Sequence, residues 1–165
     1  MLVMRYSKTA MVAAIALFAS LVAFGNITDF GTNLAFVNHV LAMDTIFPNS
    51  TIKYRAISSI PAHYAFYILI IAAETLTAIL CWIGAFKLLG AVKSSAAVFG
   101  HSKAWAIAGL TVGFLVWQVG FMSLGGEWFG MWMSKQWDGV PDAYRFFMTI
   151  MVVLIYLCLR DEELS

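Results

Sequence analysis

The chain has 165 residues, of which 62% are hydrophobic and only 12% are charged, whereas soluble domains carry about 25% charged residues. Its formal net charge of +1 gives no electrostatic basis for binding nucleic acid. The composition therefore excludes an ordinary soluble domain. It predicts a single membrane domain over residues 1–165, whose core forms where helices pack against one another within lipid.

Four apolar segments are long enough to cross a bilayer as helices, at about 9–25, 62–88, 104–124 and 144–159. They predict an all-α polytopic protein, a four-helix transmembrane bundle with both termini on one side. Six basic residues fall on the side of the termini and four on the other, a bias that favours cytoplasmic termini. The two sets are Arg5, Lys8, Lys87, Lys93, Lys103 and Arg160 against Lys53, Arg55, Lys135 and Arg145.

The first outer loop, residues 26–61, contains an amphipathic segment. Phe36, Val40, Met43 and Phe47 recur at steps of four, three and four, which places them on one face of a helix. Pro48 then ends the helix. Such segments are typical of the membrane–water interface.

The second outer loop, residues 125–139, is rich in aromatic residues, which are typical of the headgroup region. Either this loop caps the bundle, or it forms a lid or docking surface for a lipid, a quinone or a partner subunit. Arg55 and Arg145, near the ends of the two outer loops, either anchor their helices at the depth of the lipid phosphates or form ion pairs with Asp44, Glu127 or Asp138. The candidate interaction surface comprises His39, Asp44, Glu127, Trp128, Trp132, Trp137, Arg55 and Arg145.

Glu74 is an acidic residue in the middle of the second predicted span, about 18 Å from its start and near the membrane midplane. A carboxylate there needs a partner, a water-filled cavity or a proton. Tyr67 and Thr77 share its helix face, and Gln118 lies at mid-to-outer depth on the third span. These four residues are the candidate intramembrane site. It either joins two helices by a hydrogen bond to Gln118, Thr77 or a Tyr hydroxyl, or it binds a proton, a cation or a lipid-soluble ligand.

Small residues and cysteines indicate close helix packing. Gly109 and Gly113 form a GxxxG pair, with Gly120 further along, a pattern that lets two helices approach closely within the bundle, in a homodimer or against a larger complex. Cys81 and Cys158 form no CxxC pair, and we expect both to be small buried apolar residues.

The sequence lacks catalytic triads, phosphate-binding loops and zinc-ligand spacings, so we predict no catalytic residue, no metal site and no cofactor. Haem is a minor alternative. His63 and His101 lie at opposite ends of the predicted bundle and cannot share one iron. His39 with His63 remains geometrically possible at the outer surface.

Two stretches carry a resemblance to a known family. Residues 38–45, Asn-His-Val-Leu-Ala-Met-Asp-Thr, and residues 126–132, Gly-Glu-Trp-Phe-Gly-Met-Trp, with Trp-Asp-Gly at 137–139, resemble a bacterial family of predicted small integral membrane proteins of unknown function. The resemblance covers nearly the whole chain. It implies a four-helix protein of the bacterial inner membrane and supplies no biochemical activity.

Two hypotheses of function follow. The first is a non-catalytic accessory or scaffold subunit whose partners are membrane lipids, a larger membrane complex or a second copy. The alternative is a small proton- or cation-coupled transporter centred on Glu74. Quinone or haem binding is a third, weaker hypothesis.

Overall fold

The computed structural model describes residues 2–163, and these contain helices and turns but no strand. Two 3-10 turns, Lys53–Arg55 and Met131–Met133, lie in the two long connections. The longer elements are α1 (Leu2–Thr28), α2 (Phe30–Ala42), α3 (Ile60–Ala91), α4 (Ala96–Ser102), α5 (Ala104–Leu115), a π-helical segment (Val116–Trp128) and α6 (Val140–Cys158).

The predicted four-helix architecture is confirmed. Four helical stretches are long and apolar enough to cross a membrane: Leu2–Thr28, Ile60–Ala91, Ala96–Trp128 and Val140–Cys158. All four begin before the predicted spans and the first three also end after them, because a helix continues past the point where its sequence ceases to be apolar. We call the end that carries residues 2–8 and 159–163 the tail end, and the end that carries the long connections 43–59 and 129–139 the loop end.

Small residues bring α3 and α5 into close contact along the tail-end half of the bundle. A Cβ added at Gly84 would lie 2.5 Å from the Cα of Ala106, and one at Gly109 would lie 2.7 Å from the backbone nitrogen of Cys81. The predicted glycine pair therefore packs within the bundle. Cys81 is buried as expected, whereas Cys158 is exposed: it lies next to the buried Leu157 in the last turn of α6 but on the outer face of the helix.

The amphipathic segment of the first outer loop is α2, which continues from α1 and runs antiparallel to the beginning of α3. Near its start, the ring of Phe30 lies 4.8 Å from that of Tyr67. Near its end, the Leu41 carbonyl accepts a hydrogen bond from the Ile57 amide at 2.9 Å. Its fully buried side chains are Leu34, Val37 and Leu41. The predicted stripe is therefore only partly on this helix, because α2 ends at Ala42 rather than at Pro48. Met43, just after the helix, is buried, and Phe47 remains half exposed.

The helix that begins as α5 changes its winding near Val116 and ends as a π-helical segment. Its i→i+5 pattern is visible where the Phe129 amide donates to the Leu124 carbonyl at 2.9 Å. Gly130 follows with a φ of +66°, a conformation that favours glycine. π-Helical turns are rare and frequently occur at functional sites. This segment forms part of the wall of two cavities at the loop end.

Buried charges close the tail end. Arg5 and Lys8 of α1 are 1% and 0% exposed. Lys8 Nζ lies 2.8 Å from Asp161 Oδ1, and Lys103 forms a second ion pair with the same carboxylate. Burial raises the pKa of Asp161, but hydrogen bonds from Lys103 and Lys8 lower it by more, so that its net pKa lies below the ordinary value.

The buried arginine holds the backbone of two segments together. Arg5 donates hydrogen bonds to the carbonyls of Val92 at 3.2 Å, Ser94, and Glu162 at 2.8 Å. The segment after α6 is thereby tied to the start of α1 and to the connection after α3. The sequence placed Arg5 and Lys8 as flanking charges and gave no sign of this cluster.

Candidate functional site: two adjoining cavities at the loop end

Glu74 lies on α3, is 1% exposed, and hydrogen bonds to α1. The Asn26 side-chain amide donates to Glu74 Oε2 at 2.7 Å. The Tyr67 hydroxyl, two turns away on α3, donates to the Asn26 main-chain carbonyl at 2.8 Å. A buried carboxylate and a buried phenol therefore meet at one asparagine, which joins the loop end of α1 to α3.

The structure corrects the predicted partner of Glu74. Thr77 donates its hydroxyl to the Ala73 carbonyl of its own helix at 2.9 Å. Gln118 lies on the π-helical segment but does not line the cavity around Glu74, whereas its neighbour Trp117 does. Of the three residues predicted to accompany Glu74, only Tyr67 belongs to its hydrogen-bond network in the structure.

Glu74 is the fifteenth of the 32 residues of α3, but its neighbours on the other helices lie near the loop end. The prediction measured depth along one span, but α3 has 32 residues and is about 48 Å long, more than the hydrocarbon thickness of about 30 Å. The cavity beside Glu74 is lined by two residues near the end of α1, Val22 and Asn26, and by three near the start of α6, Asp142, Ala143 and Phe146. These are the loop-end turns of both helices. We therefore expect the carboxylate to lie in the leaflet at the loop end.

A cavity of about 220 Å³ adjoins this network. It lies among α1, α2, α3, the π-helical segment and the start of α6. Its polar lining residues are Asn26, Asn33, Tyr67, Glu74 and Asp142, and aromatic rings form much of the remaining wall: Phe36, Trp117, Phe121 and Phe146. We call this space the Glu74 cavity.

An apolar cleft of about 470 Å³ adjoins it, between α3 and the π-helical segment. The two helices are in close contact as far as Gly113, where an added Cβ would lie 2.9 Å from Thr77, and they diverge beyond it. Gly120 lines the cleft, and an added Cβ there would meet no atom within 4 Å. We call this space the apolar cleft. It shares four lining residues with the Glu74 cavity: Phe36, Val37, Ile70 and Phe121.

The two outer loops contact each other at the loop end, as expected if they cap the bundle. His39 Nδ1 lies 2.8 Å from Asp44 Oδ2, and the His39 ring stacks on Trp137 with centroids 4.6 Å apart. The Thr45 hydroxyl donates to Ser134 Oγ at 2.9 Å. Three of the eight predicted surface residues thus form one contact between the loops.

Two further aromatic contacts involve three more residues of the predicted surface. Arg55 donates to the Trp128 carbonyl at 3.1 Å, and its guanidinium carbon lies 4.7 Å from the Trp128 ring centre. Trp132 packs edge-on against Phe47, with centroids 5.8 Å apart. Trp128 and Trp132 each remain 49% exposed.

The last two predicted surface residues lie apart from these contacts. Arg145 forms an exposed ion pair with Asp142 at the start of α6 rather than with a loop carboxylate. Glu127 is exposed at the end of the π-helical segment. Neither contributes to the contact between the loops.

His63 has both ring nitrogens engaged. It is 2% exposed, with Nδ1 2.9 Å from Asn38 Oδ1 and Nε2 2.7 Å from the Ile57 carbonyl. A histidine held at both nitrogens has none free for iron, so the geometry disfavours the haem hypothesis. Among residues 2–163, no group of three or more His, Cys, Asp and Glu side chains could hold a metal ion.

The fold and its membrane-length helices define the class of the protein as an all-α integral membrane protein. Residues 4–160 match the family described as predicted small integral membrane protein (DUF2165). The chain therefore belongs to this family, which confirms the resemblance seen in the sequence. No curated protein matches the chain, and no solved structure matches it.

Proposed function

We propose that this protein is a non-catalytic membrane protein that holds an acyl chain of a lipid in the apolar cleft. The observation that supports this most strongly is the cleft itself. Its volume of about 470 Å³ falls within the range of about 300–1,000 Å³ that is usual for ligand pockets. Apart from glycines, its lining residues are all hydrophobic.

The rim of the cleft faces the surrounding lipid. Side chains on both of its long sides are exposed, at 64% for Leu69 and 40% for Phe66 on α3, and at 48% for Leu115 and 44% for Val119 on the opposite helix. These residues lie on helices of membrane-spanning length, so that bilayer lipid is the solvent they meet. An acyl chain is therefore the occupant that has direct access to the cleft.

The floor and roof of the cleft are formed by side chains that other contacts hold in place. Ile70 lies on α3, whereas Val37 and Leu41 are buried on α2. Met131 is 2% exposed and closes the end toward the loops. A groove that is closed at one end favours retention of one acyl chain over its free exchange with the bilayer.

Filling the cleft from within tests the proposal. In Gly120→Leu, the new side chain enters open space, because an added Cβ meets nothing within 4 Å. The matched control is Gly31→Leu, on α2, where an added Cβ also meets nothing and which does not line the cleft. After extensive detergent washing, lipid bound per protein is measured by native mass spectrometry. We expect lipid loss in Gly120→Leu alone, and equal lipid retention in the two variants would contradict the proposal.

A second candidate function is docking to a larger membrane complex through the two outer loops at the loop end. The observation that favours it is the exposure of large aromatic residues there, at 49% for Trp128, 49% for Trp132 and 50% for Phe47. We expect Trp132→Ala to abolish co-purification of a stoichiometric partner. Trp105→Ala, on a 45% exposed Trp at the tail end, serves as the control. Unchanged co-purification of the partner with Trp132→Ala would contradict this function. Proton- or cation-coupled transport remains a prediction.

A further inference from the structure

We propose that the Glu74 cavity binds the ammonium group of an organic cation, either free or in a lipid headgroup. The proposal rests on three properties of this cavity: an incompletely bonded buried carboxylate, an excess of hydrogen-bond acceptors, and aromatic walls. It does not depend on an acyl chain in the apolar cleft.

One of the two carboxylate oxygens of Glu74 is not hydrogen-bonded to any described residue. Glu74 Oε2 accepts from Asn26 at 2.7 Å, whereas Oε1 has no hydrogen-bond partner among residues 2–163, although the side chain is 1% exposed and lines the cavity. The bonded partner is a neutral amide. No Lys, Arg or His belongs to the described lining of the cavity, so the residues around this carboxylate supply no counter-charge.

The Tyr67 hydroxyl has its only proton engaged, and the Asn26 and Asn33 amides each have one of their two N–H groups engaged. The Tyr67 hydroxyl donates to the Asn26 carbonyl at 2.8 Å, and the Asn33 side-chain amide donates to the Asp29 carbonyl at 3.0 Å. The second carboxylate of the cavity, Asp142, is paired with Arg145. The unbonded acceptor oxygens of these side chains, among them Glu74 Oε1, outnumber the remaining N–H groups of the two asparagines, which matches a ligand rich in N–H or bearing positive charge.

The walls are suited to the same ligand. Rings of Phe36, Trp117, Phe121 and Phe146 line the cavity, and aromatic rings attract ammonium groups, most strongly where water is excluded. A carboxylate combined with several rings favours an organic ammonium over a bare metal ion, which would need several oxygen ligands. The volume of about 220 Å³ suits a small headgroup rather than a whole lipid.

The site also has a route to the outside. Asp142 and Gly139 line the cavity, and the side chain of Asp142 is 57% exposed at the start of α6. A soluble amine would enter from the loop end by this route, and so would the headgroup of a lipid in the adjacent leaflet.

The first test compares choline with 3,3-dimethyl-1-butanol, its neutral isostere, in calorimetric titrations of the wild-type protein in detergent. Ethanolamine is titrated in the same way. We expect saturable binding of choline or ethanolamine and none of the alcohol. Binding of both isosteres with equal affinity would overturn the proposal, because the charge of the ligand would then be irrelevant. This comparison needs no variant and remains decisive if a substitution at Glu74 prevents folding.

The second test removes the charge and keeps the shape. In Glu74→Gln, the new side-chain carbonyl still accepts from Asn26, so we expect the fold to persist while ammonium affinity falls about tenfold or more. The control is Glu162→Gln at the tail end, where only the main-chain carbonyl of residue 162 bonds to Arg5. Unchanged affinity in Glu74→Gln would overturn the proposal.

A third arm distinguishes the two sources of the ammonium group. Wild-type protein and Glu74→Gln are placed in nanodiscs of phosphatidylethanolamine or of phosphatidylglycerol, and retained lipid is identified by mass spectrometry. A preference for phosphatidylethanolamine that Glu74→Gln removes supports a headgroup ligand. Binding of the free amines without that preference supports a soluble ligand. If the free amines do not bind and the protein shows no headgroup preference, the proposal is overturned.

Discussion

Gly84 offers a sharp test of the close contact between α3 and α5. An added Cβ at Gly84 would lie 2.5 Å from both the Cα and the backbone nitrogen of Ala106. Backbone atoms cannot rotate away, so the helices must separate until this distance reaches the ordinary contact range, which begins at 3.4 Å. Overpacking of this kind costs about 1–3 kcal/mol.

The matched control is Gly90→Ala, six residues further along the same helix, where an added Cβ meets nothing within 4 Å. Both substitutions gain about 1 kcal/mol of helix propensity, and this gain cancels when the two variants are compared. We therefore expect Gly84→Ala to be less stable than Gly90→Ala by about 1–3 kcal/mol, the overpacking term alone.

Cys81 provides the assay, because it lies buried at this same helix contact whereas Cys158 is exposed. In a Cys158→Ser background, a maleimide dye that fluoresces on reacting with a thiol reports the unfolding of the helix pair during heating in detergent. Gly84→Ala should react at a lower temperature than Gly90→Ala. Identical unfolding temperatures would refute the close contact of α3 and α5.

Three further predictions concern the two ends of the bundle. Asp161→Asn should destabilise the protein by about 3 kcal/mol at neutral pH, because it leaves Lys8 and Lys103 buried without their counter-charge; equal resistance of the tail to carboxypeptidase in variant and wild type would contradict this. Because the folded pKa of Asp161 is lowered, the carboxylate stabilises the fold above its ordinary pKa. The difference between variant and wild type should therefore shrink as pH falls through the ordinary pKa and vanish below the lowered one; a difference independent of pH would refute this. His39→Ala should cost about 1 kcal/mol through the lost stacking on Trp137 and should speed amide hydrogen exchange in residues 129–139, whereas unchanged exchange would argue against the contact between the loops.

Hydropathy was sufficient to predict the helices of the bundle, because each span is a long apolar run in which few other structures satisfy the backbone in lipid. The ends of the helices were less predictable. Asn26 was assigned to the first loop because the apolar run ends at Gly25. The helix continues to Thr28, however, and this extra turn directs Asn26 toward Glu74.

Gln118 was expected at the site, and the rotational position of the third span explains why it does not line the cavity. The buried face of this helix is marked by Gly109, Gly113 and Trp117, at steps of four. Gln118 is one residue beyond this face, a rotation of about 100° in a regular α-helix. A pattern of small residues, followed through to the large Trp117, would have indicated the correct face.

The tail-end cluster was beyond sequence reasoning for a different reason. Lys8 and Asp161 are 153 positions apart, and neither shows by its local pattern that the other is near. Their burial depends on the segment after α6 folding back over the start of α1. By contrast, the two loop stretches that resemble the family do meet, through His39, Asp44 and Trp137.

The most direct test of lipid binding in the apolar cleft is photocrosslinking with a phospholipid that carries a diazirine on its acyl chain. The protein is illuminated in nanodiscs, and labelled residues are mapped by peptide mass spectrometry. Leu69 and Val119 at the cleft should be labelled well above Leu17 and Ile155, which are 51% and 57% exposed on α1 and α6 outside it. Equal labelling of all four residues would show that the cleft holds lipid no better than any other face and would contradict the account.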